Sequence, residues 1–295
     1  MARASRDLAP LLSRADVILE VRDARLPFSS AHPGLAALCG SKPRVVVLNK
    51  ADLACESLAP RVAAAVAQGG GARPPAGVAF VSASPRARGL GRVLALVDAI
   101  PSRAAGFNTA GVVMAVVGIP NVGKSSLINA LRGAAAGGGG GGGGGDGRGG
   151  GAPRGAAVAP TPGFTRSQRT LRVRTHPPLY LIDTPGVLMP RLADVDTGLK
   201  LSVTHALRDA AVPPAVQAEF LLFSFANTGS TRFVEALGLS RPFGEEEAGE
   251  CLRQLAERLG AKGPGGAPDT DAAAAHLVRA FRTGALGRHT LDFVP

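Results

Sequence analysis

Two rhythms of apolar and polar residues alternate through the first two-thirds of the chain. Short apolar runs occur at "VILEV", "RVVVLN", "VAFVSA", "GVVMAVVG" and "LYLID". Each has strand length and runs into turn-forming residues. Stretches with helical spacing lie between them, over residues 31–40, 55–67, 89–100 and 123–133, and "MARASRDLAPLLSRAD" reads as a first helix. Strand–helix alternation predicts an α/β fold, a mostly parallel sheet with helices on both faces. "TLRVRT", at 170–175, alternates strictly and is expected at a sheet edge with one face in water.

The rhythm breaks twice. Residues 134–160 are of low complexity, with nine consecutive glycines at 137–145. Such a segment buries too little apolar area to offset its ordering entropy, so a flexible loop is expected there. After about residue 190 the strand signals stop. Helices are expected over 194–212 and 214–226. Another carries Leu252, Leu255 and Leu259 on one face with Gly260 as its C-cap, and "DTDAAAAHLVRAFRTG" closes at Gly284. The expected division is an α/β domain over 1–190 and a small all-helical domain over 191–295.

Composition narrows the function class. Net charge is +11 and unevenly placed: residues 1–190 carry 22 Lys/Arg against 9 Asp/Glu, and 191–295 carry 11 against 13. The basic part suits a polyanion such as RNA, or equally a solvated basic surface. Trp is absent and Tyr180 is the only tyrosine, so platforms for stacking single-stranded bases are scarce. Cys39, Cys55 and Cys251 are scattered, which argues against a zinc site and a disulfide framework. The five histidines show no ligand spacing. No apolar run approaches the roughly 20 residues of a membrane helix, so a soluble protein is expected.

Three motifs carry chemistry. "GIPNVGKSS" at 118–126 follows a strand and opens a helix, the context that makes G-x-x-x-x-G-K-S a phosphate cradle. Backbone N–H groups and the helix N-terminus would face the phosphates. Lys124 would reach the β/γ oxygens, and Ser125 would ligate Mg²⁺. "LYLIDTPGV" places Asp183 at a strand end, to hold Mg²⁺ through water, with the Gly186 N–H available to a γ-phosphate. "NKAD" brings Asn49, Lys50, Ala51 and Asp52 to the end of "RVVVL". A carboxylate at Asp52 can accept from guanine N1–H and the 2-amino group together, a pair that adenine lacks. "FVSAS" fits a loop that backs the base through Ser82–Ala83. The expected nucleotide contacts on the phosphate loop are Asn121, Val122, Gly123, Lys124, Ser125 and Ser126.

The order of these motifs is base loop, backing loop, phosphate loop, switches, whereas a conventional GTPase begins with the phosphate loop. Ligands bind at the carboxyl ends of parallel strands, so the site survives if the strands stay side by side and the chain is cut elsewhere. Residues 101–111, "PSRAAGFNTAG", supply the splice. The expected fold is a circularly permuted P-loop GTPase.

The ordered set "DARLPFSS", "NKADL", "GIPNVGKSSLIN", "PGFTR", "DTPGVLMPR", "TGLKL" and "FRTGALG" spans nearly the whole chain. It resembles the YlqF/RbgA family of circularly permuted GTPases, and within it the mitochondrial ribosome-associated type. The resemblance implies GTP/GDP and Mg²⁺ as ligands, with Thr165 as the switch threonine on Mg²⁺ in preference to Thr161. Lys124 and Thr165 become the residues acting on the reaction itself. It also implies a K⁺-holding role for Asn121. Val187 and Leu188 stand where many GTPases carry a catalytic glutamine, so intrinsic hydrolysis should be slow and recovered on the ribosome. The opening "MAR" matches only the tail of the family's Phe-Pro-Gly-His-Met-Ala stretch, so no catalytic histidine is assigned. Implied partners are the mitochondrial large ribosomal subunit and its rRNA. Arg148, Arg154, Arg166, Arg169, Arg172 and Arg174 lie in or just after switch I with no acid between Asp146 and them, and they either hold rRNA phosphates or form a solvated basic edge. A monomer, peripheral to the matrix side of the inner membrane, is implied as well. The alternative is a non-enzymatic RNA-binding scaffold with GTP as a structural ligand.

Overall fold

The computed structural model describes residues 2–69, 73–84, 86–101, 111–136, 170–183, 188, 190, 192–243 and 247–295. Six strands form one sheet: β1 (Val17–Asp23), β2 (Arg44–Asn49), β3 (Gly77–Val81), β4 (Val112–Val117), β5 (Thr170–Arg174) and β6 (Leu179–Asp183). Their order is β3-β2-β1-β4-β6-β5. All neighbours are parallel except β5, which pairs antiparallel with β6 at the edge. On β5, Val173 is buried and Arg172 is exposed, as its alternation predicts.

Helices cover both faces. On one face α4 (Leu90–Asp98) and α5 (Lys124–Ala136) pack on Leu19, Val21, Val45, Val47, Met114 and Val116. On the other, α1 (Ala2–Arg14) and α2 (Leu35–Cys39) meet Ile18, Ala115 and Val117, and α3 (Ala59–Ala67) meets Val46 and Leu48. The odd–even split of side chains along each strand follows from the pleat. Glu20 breaks the apolar run of β1 yet is only 2% exposed. Arg22 Nε donates to it at 2.7 Å, and Arg44 Nη1 pairs with its other oxygen. A buried carboxylate needs such partners, because removing one leaves an uncompensated charge.

Past residue 190 the described chain is helical: α6 (Val195–Val203), α7 (Pro214–Asn227), α8 (Arg232–Leu237), α9 (Ala248–Leu259) and α10 (Thr270–Thr283). These elements form a second cluster, with Leu221, Phe225, Phe233, Cys251, Leu255, Leu277 and Phe281 buried, while Leu201 of α6 packs with the sheet's cluster instead. Asp194 and Asp269 are N-caps, accepting from the N–H groups of Thr197 and Ala272 at 2.7 and 2.9 Å. Gly260 (φ +65°) and Gly284 (φ +83°) close α9 and α10 in the left-handed conformation.

The helix expected over 194–212 is a correction: α6 stops at Val203. His205 turns left-handed at φ +66°, and the Ala206 N–H returns to the Leu201 carbonyl at 2.8 Å. Arg282 of α10 satisfies the last carbonyls, donating to Val203 O at 3.0 Å and Ser202 O at 2.9 Å. The stop therefore depends on a partner 80 residues away, which local periodicity cannot show. Helix α8, over "RFVEAL", is not among the helices expected from periodicity. The low-complexity segment beyond residue 136 and the splice over 102–110 lie outside the described residues.

Candidate functional site

Five parallel strands end at one edge of the sheet, so the loops after β1, β2, β3, β4 and β6 converge there. The strands bearing the base and phosphate loops are not adjacent, contrary to the side-by-side arrangement expected above. Strand β1 lies between β2 and β4. Two strand spacings, about 10 Å, separate the loops, which suits the reach of one nucleotide.

Hydrogen bonds tie the two loops together across that gap. Asn49, at the end of β2, donates through Nδ2 to the Val122 carbonyl of the phosphate loop at 2.9 Å. Its Oδ1 accepts the Ala83 N–H at 3.1 Å, so one buried amide holds the base, backing and phosphate loops in register. Lys50 Nζ donates to the Asn121 carbonyl at 2.7 Å and pairs with Asp23 Oδ2 at 2.9 Å. The Asp52 N–H donates to Ser82 Oγ at 3.1 Å. Lys50 (φ +60°) and Asn121 (φ +58°) both sit in the left-handed region, a strained geometry for non-glycine residues. Such strain persists only where the surroundings over-determine it, and it clusters at functional sites.

A cavity of about 170 Å³ lies where the loops meet, lined by Asn49, Lys50, Asp52, Leu53, Ser84, Gly123 and Ser126. Asp52 Oδ1 is buried and has no hydrogen-bond partner among the described residues. An unmatched buried acceptor of this kind costs about 1–3 kcal/mol unless a ligand donor meets it. A larger cavity of about 740 Å³ lies away from these loops, beside α2, α3 and Phe293. Its cationic groups are already engaged: Arg22 and Arg44 both pair with Glu20. Chemistry rather than size therefore selects the smaller cavity.

On the phosphate side, Gly118 and Gly123 take φ values of +157° and +92°. A Cβ on Gly118 would lie 2.3 Å from the Val21 carbonyl oxygen, and one on Gly123 would lie 2.2 Å from Asn49 Nδ2. Only glycine allows the loop to pass that close. Ser125 and Ser126 stand in the first turn of α5, where helix N–H groups are free for an anion. Lys124 Nζ donates to the Ile119 carbonyl at 2.6 Å within its own loop. Asn121 Nδ2 donates to the His205 carbonyl at 2.7 Å, joining the loop to the segment after α6. Asp183 ends β6 opposite Val116 of β4, one residue before the strand that feeds the phosphate loop ends. Thr161, Thr165, Gly186 and Val187 lie outside the described residues, as do Arg148, Arg154, Arg166 and Arg169. Arg174 is committed to Asp98, with bonds of 2.9 and 2.5 Å, which removes it from the free basic set.

Leu53, Ser84 and Asp23 fall within "NKADL", "FVSAS" and "DARLPFSS", but those motifs assign them no role. Burial by itself would raise the Asp23 carboxyl, but the Arg25 guanidinium and the Lys50 ammonium beside it outweigh burial. They hold it far below the usual carboxylate range.

A glycine-bearing phosphate loop opening a helix, tied to an Asn-Lys-x-Asp base loop at one edge of a parallel sheet, defines a P-loop GTPase domain with permuted chain order. A family model described as "50S ribosome-binding GTPase" matches residues 113–228, beginning at the phosphate strand and leaving the base loop outside. The mitochondrial ribosome-associated GTPase 1 of Xenopus tropicalis is 34% identical over 99% of this chain and 92% of its own. Ribosome biogenesis GTPase A of Bacillus cereus is 29% identical over 99% of this chain and 91% of its own. The GNP-bound structure of YlqF from T. maritima superposes with a TM-score of 0.60 at 21% identity, over 98% of this chain and 97% of that one. The chain belongs to the circularly permuted YlqF/RbgA family, alongside the mitochondrial ribosome-associated GTPases.

Proposed function

We propose that this protein binds guanine nucleotides and hydrolyses GTP as an assembly factor for the mitochondrial large ribosomal subunit. The observation that carries the nucleotide part is the buried, unpartnered Oδ1 of Asp52, a residue that lines one cavity together with Gly123 and Ser126 of the phosphate loop. The ribosomal part rests on the names of the relatives.

The base would sit against Asp52, Lys50 and Ser84, with its phosphates over Gly123, Lys124 and Ser125. The Lys124 ammonium would exchange the Ile119 carbonyl for a phosphate oxygen, gaining a charge-assisted bond. Mg²⁺, held by Ser125, Thr165 and Asp183, would neutralise charge developing on the β/γ oxygens. Two hydroxyls and one carboxylate suit that ion, which takes few protein oxygens and keeps several waters. Asn121 would serve K⁺ through its side-chain carbonyl oxygen while its amide stays on His205.

Leu188 is buried among Leu8, Leu12 and Leu35. It offers no amide to orient an attacking water, so the isolated protein should turn over slowly. The same observation favours the scaffold reading, in which GTP is only a structural ligand. Multiple-turnover hydrolysis separates the two. Stimulation by mitochondrial large subunits, greater in K⁺ than in Na⁺, is expected. Equal basal turnover with and without subunits would leave the scaffold. The site of action is proposed as the matrix face of the inner membrane, with the protein monomeric. Attachment would be peripheral; no described helix is long and apolar enough to cross a membrane. The basic excess of residues 1–190 suits rRNA phosphates or anionic headgroups.

A further inference from the structure

We propose that Asp23 and Arg25 are positioning residues for guanine-nucleotide affinity: they hold Lys50 on the phosphate loop and make that grip depend on α10. This rests on the nucleotide reading above.

Strand β1 separates the base strand from the phosphate strand, so its C-terminal residue Asp23 emerges between the two loops. Asp23 is 2% exposed and spends both oxygens on cations. Oδ1 accepts Arg25 Nε at 3.0 Å, and Oδ2 accepts Arg25 Nη2 at 2.8 Å. Oδ2 also meets Lys50 Nζ at 2.9 Å, the same ammonium that donates to Asn121 O. The carboxylate thus fixes a side chain that spans from base loop to phosphate loop. Without it, the Lys50 side chain, already a quarter exposed, would gain more by turning its ammonium to water. The Ala24 N–H donates to the Asn49 carbonyl at 2.7 Å, so the backbone after β1 braces the same loop.

Arg25 carries the connection outward. Its guanidinium carbon lies 5.3 Å from the Phe281 ring centroid on α10, and its Nη1 is buried without a hydrogen-bond partner among the described residues. The arginine is therefore held by the Asp23 carboxylate on one side and by the aromatic face on the other. Its carbonyl accepts the Leu291 N–H at 2.9 Å from the tail that follows α10. The same tail reaches the base loop directly, where His289 N–H donates to Leu53 O at 2.9 Å. A shift of α10 would move Arg25, then Asp23, then Lys50.

The test is release of N-methylanthraniloyl-GDP from the full chain, in a double-mutant cycle of Asp23→Asn and Lys50→Met. Asp23→Asn should speed release roughly tenfold in the parent and have no further effect beside Lys50→Met. A merely structural role would give equal, additive effects in both backgrounds, and that result overturns the proposal. So does an unchanged release rate in Asp23→Asn. Should Asp23→Asn fail to fold, Phe281→Leu carries the same test, with faster release expected only while Lys50 is present. A parent chain that binds no guanine nucleotide would remove the nucleotide reading itself, and this inference with it.

Discussion

Replacing Asp52 by Asn should reverse the choice of base. In the proposed site guanine would present two donors, N1–H and the 2-amino group, to whatever occupies position 52. The present carboxylate has a buried oxygen with no partner among the described residues, ready to accept them. An amide sets an N–H against a donor, and guanine affinity should fall by about 100-fold to 1,000-fold, roughly 3–4 kcal/mol. Xanthine carries a carbonyl at the same edge, so xanthosine diphosphate should bind the variant better than GDP does. Stability should change by no more than about 0.5 kcal/mol, since the Asp52 N–H still reaches Ser82 whichever side chain the residue carries. Titration calorimetry with both nucleotides checks the exchange. An Asp52→Asn protein that still prefers GDP would place the base elsewhere.

Gly123→Ala should damage both halves of the site with one methyl group. The residue stands at φ +92°, and its new Cβ would meet Asn49 Nδ2 at 2.2 Å. Asn49 would have to give up the Val122 carbonyl, and with it the link between base and phosphate loops. The phosphate N–H cradle would be distorted at the same time. Affinity for GDP and GTP should fall together, by about 100-fold or more, with a stability loss of about 1–3 kcal/mol from the strained backbone. Gly133→Ala is the control. That glycine lies in α5, and an added methyl group would meet nothing within 4 Å. The helix should gain about 0.5–1 kcal/mol and binding should not change. Thermal melts and GDP titrations on the two variants make the comparison.

Why some of these residues are readable in the sequence and others are not follows from the range of the forces involved. "RVVVLNKAD" declares itself locally: an apolar run of strand length, then a loop whose residue types match one base. "GIPNVGKSS" does the same for phosphate, and both loops lie at the expected strand ends. The contribution of Asp23 is not readable, although "DARLP" stands out as a motif. Its partner Lys50 is 27 residues on in sequence, and only the pairing of β1 with β2, which sets Asp23 opposite Asn49, brings the two together. The same holds for Glu20, a charge in a buried strand made tolerable by Arg44 from the next strand. Periodicity misplaces the end of α6 because "SVTHALRDAA" keeps helical composition past Val203, and the stop comes from Arg282 on another helix. Lys124 and Ser125 are visible as a motif, but the tether of Asn121 to His205 is not, since it joins the phosphate loop to the helices beyond residue 190.

The central claim is that a base loop early in the chain and a phosphate loop some seventy residues later build one guanine-nucleotide site. Calorimetric titration of the purified full chain with GDP and, separately, ADP in the presence of Mg²⁺ tests it most directly. Saturable binding of one GDP per chain, with ADP weaker by at least about 100-fold, is the predicted result. Equal affinity for the two nucleotides, or binding of neither, would contradict it.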